Sequence, residues 1–496
     1  MLLWQNIPMF LVVGSLASAA VCSVLPNRIA RAWLVCAAGT ACAASAFFLG
    51  KMLGYEGGSY VYKMGEFGAP YGNELLCGVM EAAVALLFTT VLFLSVLGGW
   101  RKGKQDVDGV RRNLFCTVTL LLQAALIAMT YTNDMFTGYV FIEITTIAAC
   151  ALICVKSRGR TMFAATRYMI MNLIGSGLFL FGLCMLYCLT GHLLFPQMKE
   201  AVAELAQTGR YDVPLFTSLV LITFGIGIKS GLYPFHTWIP NAYANATPSA
   251  SAMLSSLVSK TYIFLLLKAI SRVFGQETFS LVGDVLFVFS MLGIVMGSVE
   301  ALFEHNVRRM IAWSSVAQIG YIFLAASLGT RAGAAAAVFH ILAHSLAKSM
   351  LFLSVDRLVT VSGGKSDFRD LRGAGSRAPL AGAAFAVGAM SIVGIPMLGG
   401  FSSKMFLAQA ALELAEWKCV LMLCVLAVSV VLNVAYFLRT VLTLYRDPLP
   451  RMENVQGQPA GYAFCTAMVA LIALNITLGV AGGTVMDWIQ TGVMLL

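Results

Sequence analysis

The chain has 496 residues, of which 59% are hydrophobic and 11% are charged, and its formal net charge is +10. Soluble domains carry about 25% charged residues, so this composition excludes a soluble globule, whose surface must be covered by polar side chains. The positive charge falls in short loops between apolar runs, which is typical of membrane topology signals and not of nucleic-acid binding, so no nucleic-acid partner is expected.

Apolar windows of about 20 residues, the length of one bilayer crossing, predict about fourteen transmembrane helices. In chain order the predicted spans are 5–25, 30–50, 76–99, 113–131, 134–155, 167–190, 215–243, 248–272, 279–303, 308–328, 332–359, 379–414, 417–445 and 461–487. The first window lacks the basic start and the cleavage site of a signal peptide, so we interpret it as a span. The longest connecting segments, such as 51–75 and 191–214, are too short to form a domain. The predicted fold class is an all-α polytopic membrane protein.

Lysine and arginine residues divide unequally between the two sets of alternate loops. One set holds Arg28, Arg31, Arg101, Lys102, Lys104, Arg111, Arg112, Lys156, Arg158, Arg160, Arg167, Arg308, Arg309, Arg357, Lys365, Arg369, Arg372, Arg377, Arg446 and Arg451. The other set holds Lys51, Lys63, Lys199, Arg210, Arg272, Arg331 and Lys418. Because basic loops stay in the cytoplasm, we expect a multi-pass protein of the cell (inner) membrane with both termini on the non-cytoplasmic side.

The twelve cysteines do not form a cofactor motif. The chain has no CxxC pair, and pairs such as Cys150/Cys154 lie four residues apart in apolar helices, which indicates packing. The segment 362–365 (SGGK) lacks the spacing of a nucleotide-binding loop. We therefore expect no cofactor and no metal, and energy that comes from an ion gradient or from a partner subunit.

Ionisable residues inside the predicted spans are the strongest functional signal, because a charge at a helix centre costs about 2.5–3.5 kcal/mol. The basic ones are Lys229, Lys260, Lys268, Lys348, Lys404 and Arg439, and at the same depth lie Glu81, Glu143, His340 and His344. Near span ends, Lys268 and Arg439 are expected to extend to the membrane surface. Glu81 is equally well explained as a hydrogen-bond partner between helices.

Two predicted spans, 215–243 and 379–414, are interrupted by proline and glycine beside a lysine. Lys229 precedes Pro234 in the first span, and Lys404 follows Pro396 in the second. Proline removes a helix hydrogen bond, and unpaired backbone is tolerated in a membrane only inside protein or beside water. Interruptions at corresponding places in two halves indicate repeats with ion sites at the breaks.

The two breaks lie five spans apart, which predicts two five-helix repeats, helices 4–8 and 9–13, with broken helices 7 and 12. An odd number of helices reverses the direction of insertion, so the repeats should be inverted. The predicted division is residues 1–110 for helices 1–3, 111–275 for the first repeat, 276–450 for the second, and 451–496 for the last helix.

Three residues, His340, His344 and Lys348, are spaced by four and share one helix face. The pattern lacks the glutamate of HExxH, and because histidine titrates near neutral pH, a proton relay is the better interpretation. Glu143 is the candidate partner of Lys229. An opening ion pair would let the lysine pass its proton along the series.

The proposed series runs from Lys229 to Lys260, then to the histidine face, and finally to Lys404. Several stretches around these residues occur in the order found in a known family. They are 229–240 (KSGLYPFHTWIP), 241–248 (NAYANATP) with Lys260, 308–321 (RRMIAWSSVAQIGY), Phe339 and His340 with His344 and Lys348, and 394–404. They resemble the proton-conducting antiporter-like membrane subunits shared by respiratory complex I, energy-converting membrane hydrogenases and Mrp-type Na+/H+ antiporters.

The resemblance spans roughly residues 70–410 and implies a role for six positions. These are Glu143 as the fifth-helix glutamate, Lys229 as the lysine of the broken seventh helix, Lys260 as the eighth-helix lysine, His340 and His344 as the eleventh-helix histidines, and Lys404 as the terminal lysine of the twelfth helix. The segment 62–72 (YKMGEFGAPYG) is similar to the Mrp D-type and hydrogenase members. Relatives often carry an acid ahead of the third-helix core, and here Glu81 is the candidate for that role; His236 is a further candidate.

The resemblance implies a proton-translocating subunit, with the D-type subunit of an Mrp-like Na+/H+ antiporter as the first hypothesis. The alternative is an ion-pumping subunit of a redox-driven complex, such as an energy-converting hydrogenase, a formate hydrogenlyase or a complex I-like dehydrogenase. Partners would be other antiporter-like and small helical membrane subunits, with H+ and Na+ as ions. A stand-alone solute transporter would concentrate polar residues at one break, and an intramembrane enzyme would need a catalytic motif that is missing here.

Overall fold

The structure is a computed structural model and describes residues 3–68, 72–100, 106–209, 211–448 and 460–494. Nearly all of this part of the chain is helical, and its one sheet is a two-stranded hairpin. Some residues discussed above lie outside the described residues: Arg101, Lys102, Lys104, Arg210 and Arg451 of the basic loops, and 69–71 of the segment 62–72.

The strands are β1 (Ser59–Lys63) and β2 (Glu74–Gly78), and the main helices follow in chain order. They are α1 (Ile7–Val24), α2 (Asn27–Leu53), α3 (Val79–Gly98), α4 (Gly109–Tyr131), α5 (Met135–Cys154), α6 (Gly159–Thr190), α7 (Phe195–Thr208), α8 (Asp212–Ser230), α9 (Ile239–Asn245), α10 (Pro248–Phe274), α11 (Gly275–Phe303), α12 (Val307–Ser327), α13 (Arg331–Thr360), α14 (Pro379–Val393), α15 (Gly399–Ala411), α16 (Glu416–Tyr445), α17 (Tyr462–Val480) and α18 (Gly482–Met494).

Thirteen helical segments of the described chain are long and apolar enough to cross a membrane. The remaining predicted span, 379–414, forms the two shorter helices α14 and α15, which flank its break. These segments confirm the all-α polytopic membrane fold. The inverted repeats and the four-part division stay predictions.

Burial separates central from peripheral helices. The whole apolar windows of α10 and α13 are buried inside the protein, whereas only about a third of the windows of α1, α2 and α16 is buried. A helix that is apolar all round can face lipid on one side and protein on the other. Lys260 and Lys268 of α10, and His340, His344 and Lys348 of α13, are buried inside the protein.

Both predicted helix breaks are present and have the same local cause. Helix α8 is followed by Gly231 with a φ of +80°, and α14 by Gly394 with a φ of +94°. A left-handed residue ends a helix and strongly favours glycine. Pro234 and Pro396 follow within three residues and prevent the helix from resuming in register.

Two connecting segments that were predicted only as loops contain regular structure. The segment 51–75 contributes most of the β1–β2 hairpin, and 191–214 contains α7, an amphipathic helix that buries Phe195, Met198 and Val202. Neither element has enough apolar residues to register in a 20-residue window. The hairpin and α7 lie beside the turn between α4 and α5, which they contact through isolated bridges.

Candidate functional site

An ion pair joins α5 to the broken end of α8. The Lys229 Nζ lies 3.1 Å from Glu143 Oε1 and donates a hydrogen bond of 2.9 Å to Thr146 Oγ1. Ser176 donates a 2.5 Å hydrogen bond to the same carboxylate oxygen. The lysine side chain is fully buried and the glutamate side chain is 25% exposed, so the predicted pair exists, and its acid faces the more open side.

The break and a glycine contact place Lys229 beside this acid. The lysine lies in the last turn of α8, immediately before the turn that ends at Gly231. Gly175 of α6 packs directly on Gly225 of α8, where an added Cβ would lie 2.7 Å from the Gly225 carbonyl oxygen. Small residues allow such close helix approach in membranes, and here the contact brings the lysine stem into the interface.

Tyr262 extends this group toward α10. Its hydroxyl lies 3.4 Å from Thr146 Oγ1, and its ring centre lies 5.8 Å from Lys229 Nζ. Tyr262 is two residues from Lys260 along the same helix. Sequence reasoning did not select this tyrosine, because a lone aromatic residue in an apolar helix is usually a packing residue.

Lys260 lies next to a π-helical segment of α10, Leu254–Val258. Its ammonium donates a 2.5 Å hydrogen bond to the Ser255 carbonyl oxygen, and the residue is fully buried. Such single-turn distortions change the carbonyl pattern of a helix and are frequent at functional sites. No carboxylate lies within ion-pair distance of Lys260 among the described residues.

The two histidines of α13 lie close together as predicted. Their ring centres are 6.0 Å apart, and His340 Nδ1 shares a 2.6 Å hydrogen bond with Ser403 Oγ of α15. Both ring nitrogens of His344 and the Nε2 atom of His340 have no hydrogen-bond partner within the described part of the chain. Buried polar atoms normally form hydrogen bonds with protein or water. These nitrogens therefore mark a place where water can form hydrogen bonds with the histidines.

The two remaining lysines of the predicted series bind backbone carbonyls. Lys348 donates to the Ile311 carbonyl oxygen at 2.9 Å and also to Ser314 Oγ. Lys404 donates at 2.9 Å to the carbonyl oxygen of Val393, the last residue of α14. The unpaired carbonyls at a helix C-terminus carry partial negative charge, so the break itself supplies the acceptor for the ammonium of Lys404.

Tyr321 of α12 links the histidines to the terminal lysine. Its ring is stacked on His340 at 5.4 Å between centres, and its ring centre lies 5.5 Å from Lys404 Nζ. Tyr321 and Ser403 are contacts that sequence reasoning missed, although Ser403 precedes Lys404 and Tyr321 ends the segment 308–321. Their contacts with His340 and Lys404 depend on the packing of α12, α13 and α15 against one another.

The structure corrects the expectations for Lys268 and Arg272. Lys268 does not extend to the surface: it is fully buried and donates to two backbone carbonyls of α4 and its C-terminal end. Arg272 is not a loop residue, because it is buried in the last turn of α10 and lies 2.8 Å from Glu81. A hydropathy window places Lys268 and Arg272 at the end of a membrane span. In the structure, helix α7 and the hairpin extend the protein beyond these two residues. Arg439 is exposed, as expected.

His236 lies inside the first break, away from the other histidines. Its ring stacks on Tyr233 at 5.2 Å between centres and lies 5.4 Å from the ring centre of Trp313.

The site as a whole is a series of separate groups: Lys229 with Glu143, then Lys260, then the histidines with Lys404. Direct hydrogen bonds between these groups are absent among the described residues, and the same part of the chain contains no cluster of three or more His, Cys, Asp or Glu that could hold a metal ion.

A bundle of membrane helices with buried lysines and histidines, interrupted at two lysine-bearing breaks, defines an ion-translocating subunit of the antiporter-like class. The family described as NADH:quinone oxidoreductase/Mrp antiporter, TM, matches residues 132–430. The chain belongs to this family, which confirms the resemblance drawn from its motifs.

Relatives and a solved structure cover most of the chain. The N subunit of the NADH-quinone oxidoreductase of Desulforudis audaxviator is 31% identical over 427 residues, which cover 85% of this chain and 82% of that protein. The D-type subunit of the Na(+)/H(+) antiporter of Bacillus subtilis is 24% identical over 427 residues, covering 85% and 83%. A chain of the membrane-bound sulfane sulfur reductase, an archaeal respiratory membrane complex, superposes with a TM-score of 0.88 at 26% identity and covers 99% of this chain and 97% of its own. The protein is thus an antiporter-like subunit of a multisubunit membrane complex, with other membrane subunits as partners.

Proposed function

We propose that this subunit moves protons across the membrane through a relay of buried ionisable side chains. The relay residues are Glu143, Lys229, Lys260, His340, His344, Lys348 and Lys404. The observation that carries the proposal is the ion pair between Lys229 and Glu143, 3.1 Å apart at the end of a broken helix. A fixed structural pair would not need a helix break beside it.

The pair can act as a switch because of elementary electrostatics. Burial favours the neutral form of an amine, while a carboxylate 3 Å away in a medium of low effective dielectric favours the ammonium form. When the end of α8 moves and the pair opens, the proton leaves Lys229 for the next group. Tyr262 and water would connect the pair to Lys260, and Tyr321 and Ser403 would hold His340 near Lys404.

The arrangement in the membrane is also part of the proposal. Two inverted five-helix units, residues 111–275 and 276–450, would each contribute one break, with 1–110 and 451–496 flanking them. Both termini would lie on the non-cytoplasmic side of the cell membrane, as the distribution of basic loops indicates. The two breaks would then open toward opposite sides of the membrane.

Two kinds of complex are supported by specific observations. Membership of an Mrp-like Na+/H+ antiporter, as its D-type subunit, is supported by the segment 62–72 and by the similarity to the corresponding antiporter protein of Bacillus subtilis. An ion-pumping role in a redox-driven complex is supported by the 31% identity to the N subunit of an NADH-quinone oxidoreductase and by the similarity to the sulfane sulfur reductase chain. The ions are H+ in both cases and Na+ in the first.

Inverted membrane vesicles that contain the native complex test both the proton relay and the kind of complex. Vesicles energised by respiration are challenged separately with Na+ and with an electron donor such as reduced ferredoxin, formate or NADH, and the pH gradient is followed. Lys229→Ala and Glu143→Ala should abolish the response, whereas Lys365→Ala, a substitution at an exposed lysine between α13 and α14, should not. Dissipation by Na+ alone identifies an antiporter, and pumping driven by the donor alone identifies a redox-driven complex. Relay variants that behave as wild type in both assays would refute the relay.

A further inference from the structure

Helix α10 carries a second buried lysine that the proposed relay does not use. Lys268 is fully buried and donates 2.8 Å hydrogen bonds to the carbonyl oxygens of Thr130 and Thr132 at the end of α4. Its ammonium also lies 5.6 Å from the ring centre of Phe264. No carboxylate forms an ion pair with it in the described part of the chain. Lys268 therefore holds its proton by carbonyl groups alone, as Lys260 and Lys404 do.

A polar path leads from the neighbourhood of Lys268 to the protein surface. Arg272 is one turn further along α10 and is paired with Glu81 at 2.8 Å; residues four apart on a helix are neighbours. Arg272 Nη1 lies 3.4 Å from Asn133 Oδ1, and Asn133 Nδ2 lies 3.4 Å from Glu74 Oε2. Glu74 is half-buried at the start of β2. Arg272 and Asn133 thus connect the buried Glu81 to Glu74, on the membrane face that carries the hairpin.

Space for water exists on the same end of α10. A cavity of about 430 Å³ is bordered by Leu267, Ile270 and Ser271 of α10. Residues spaced by three and four share one helix face, and this face lies next to the one that carries Lys268 and Arg272. A site for one water needs about 10–15 Å³ of such volume, so this cavity has room for several waters. A cavity large enough for water therefore lies against the last two turns of α10, which also carry Lys268 and Arg272.

We propose that Lys268 and the Glu81–Arg272 pair form a side branch of the relay, through which Lys260 exchanges protons with the membrane face that carries Glu74. The inference rests on the proposed proton relay. The two lysines are eight residues apart, roughly 12 Å along the helix axis, which two lysine side chains and intervening water can bridge.

Each step of the branch moves one proton. The Lys268 ammonium gives a proton to the Glu81 carboxylate, which leaves a neutral amine and a neutral acid beside Arg272. Glu81 then releases the proton to water on the side of Glu74 and becomes a carboxylate again. The Lys268 amine takes a proton from the ammonium of Lys260. One proton has moved from Lys260 to water, and Arg272 stays charged throughout.

The competing explanation is that Lys268 only clamps α4 to α10, and two substitutions separate the two roles. Lys268→Arg keeps a positive charge and donors for both carbonyls, but a guanidinium does not deprotonate in proteins. The side chain in Lys268→Gln is shorter and has an amide with two N–H donors, but it neither takes up nor releases a proton. If Lys268 only holds α4 against α10, both variants keep part of that function. If Lys268 carries protons, both variants lose proton transport.

The experiment measures proton transport in vesicles containing the whole complex, normalised to the amount of assembled complex after mild solubilisation. We expect Lys268→Arg to assemble at the wild-type level and to lose transport roughly tenfold, because the guanidinium keeps its proton. If the larger side chain prevents assembly, Lys268→Gln decides the question by the same readout. Transport at the wild-type level in an assembled Lys268→Arg or Lys268→Gln variant overturns the branch.

Lys260→Arg in the same assay separates this inference from the proposed function. Loss of transport in Lys260→Arg together with normal transport in Lys268→Arg refutes the branch alone. Normal transport in Lys260→Arg refutes the relay on which the branch depends.

Discussion

Gly175 of α6 and Gly225 of α8 are in direct backbone contact at the level of the relay. A Cβ atom on Gly175 would lie 2.7 Å from the Gly225 carbonyl oxygen and 2.9 Å from Lys229 Cγ. This contact fixes the distance between the two helices and presses the lysine stem toward α5. The position of the charged end of Lys229 therefore depends on two residues that carry no charge themselves.

Gly175→Ala should impair transport by displacing Lys229 from Glu143. The methyl group requires a shift of α6 relative to α8, since one obstacle is backbone, and overpacking of this kind costs about 1–3 kcal/mol. We expect several-fold slower proton transport in vesicles at normal complex assembly. Gly177→Ala is the matched control, because a Cβ there meets nothing within 4 Å. Equal transport in both variants would show that the contact does not position the lysine.

Thr146→Val should weaken the relay without removing either charge. The substitution keeps the shape of the side chain and removes the hydroxyl that accepts the 2.9 Å hydrogen bond from Lys229. A hydrogen bond to a charged group is worth about 1.5–3 kcal/mol, so transport should fall several-fold and its pH profile should shift. Thr145→Val on the same helix is the control, because the Thr145 hydroxyl has no partner among the described residues. A wild-type pH profile in Thr146→Val would contradict the prediction.

Ser403→Ala should affect the second half of the relay. It removes the partner of His340 Nδ1 at 2.6 Å and leaves a buried ring nitrogen without that partner. Because a ring that is not held can change its tautomer and orientation, proton transfer toward Lys404 should slow several-fold. Ser402→Ala removes instead a 3.1 Å bond to the Gly479 carbonyl oxygen and serves as the control. The two variants are compared by initial rates of gradient dissipation.

Gly394→Ala should disturb the second break. Gly394 has a φ of +94°, and an added Cβ would lie 3.1 Å from Lys404 Cδ. A non-glycine residue in the left-handed region costs about 1–2 kcal/mol, and the close contact displaces the lysine from the Val393 carbonyl. Transport should fall and the solubilised complex should unfold at a lower temperature. Gly483→Ala, which meets nothing within 4 Å, should change neither property.

Most of the fold was predictable because each bilayer crossing requires a long apolar window, and such windows are visible one at a time. The breaks were predictable for a similar reason: glycine and proline act locally on the backbone of their own helix. The pair of Lys229 and Glu143 was predicted as well, since two opposite charges in an apolar bundle need each other. In contrast, Lys268 and Arg272 were misplaced, because hydropathy does not show which span ends are covered by α7 and by the hairpin.

The sequence alone determined that this protein crosses the membrane many times, that two helices break beside lysines, and which side chains are available for proton transfer. These features follow from the free energy of placing single residues in an apolar medium. Only the tertiary structure decided which groups meet: that Tyr321 lies between His340 and Lys404, and that Arg272 binds Glu81. The physical reason is that hydrogen bonds and ion pairs act over about 3 Å, and the packing of helices distant in sequence sets those distances.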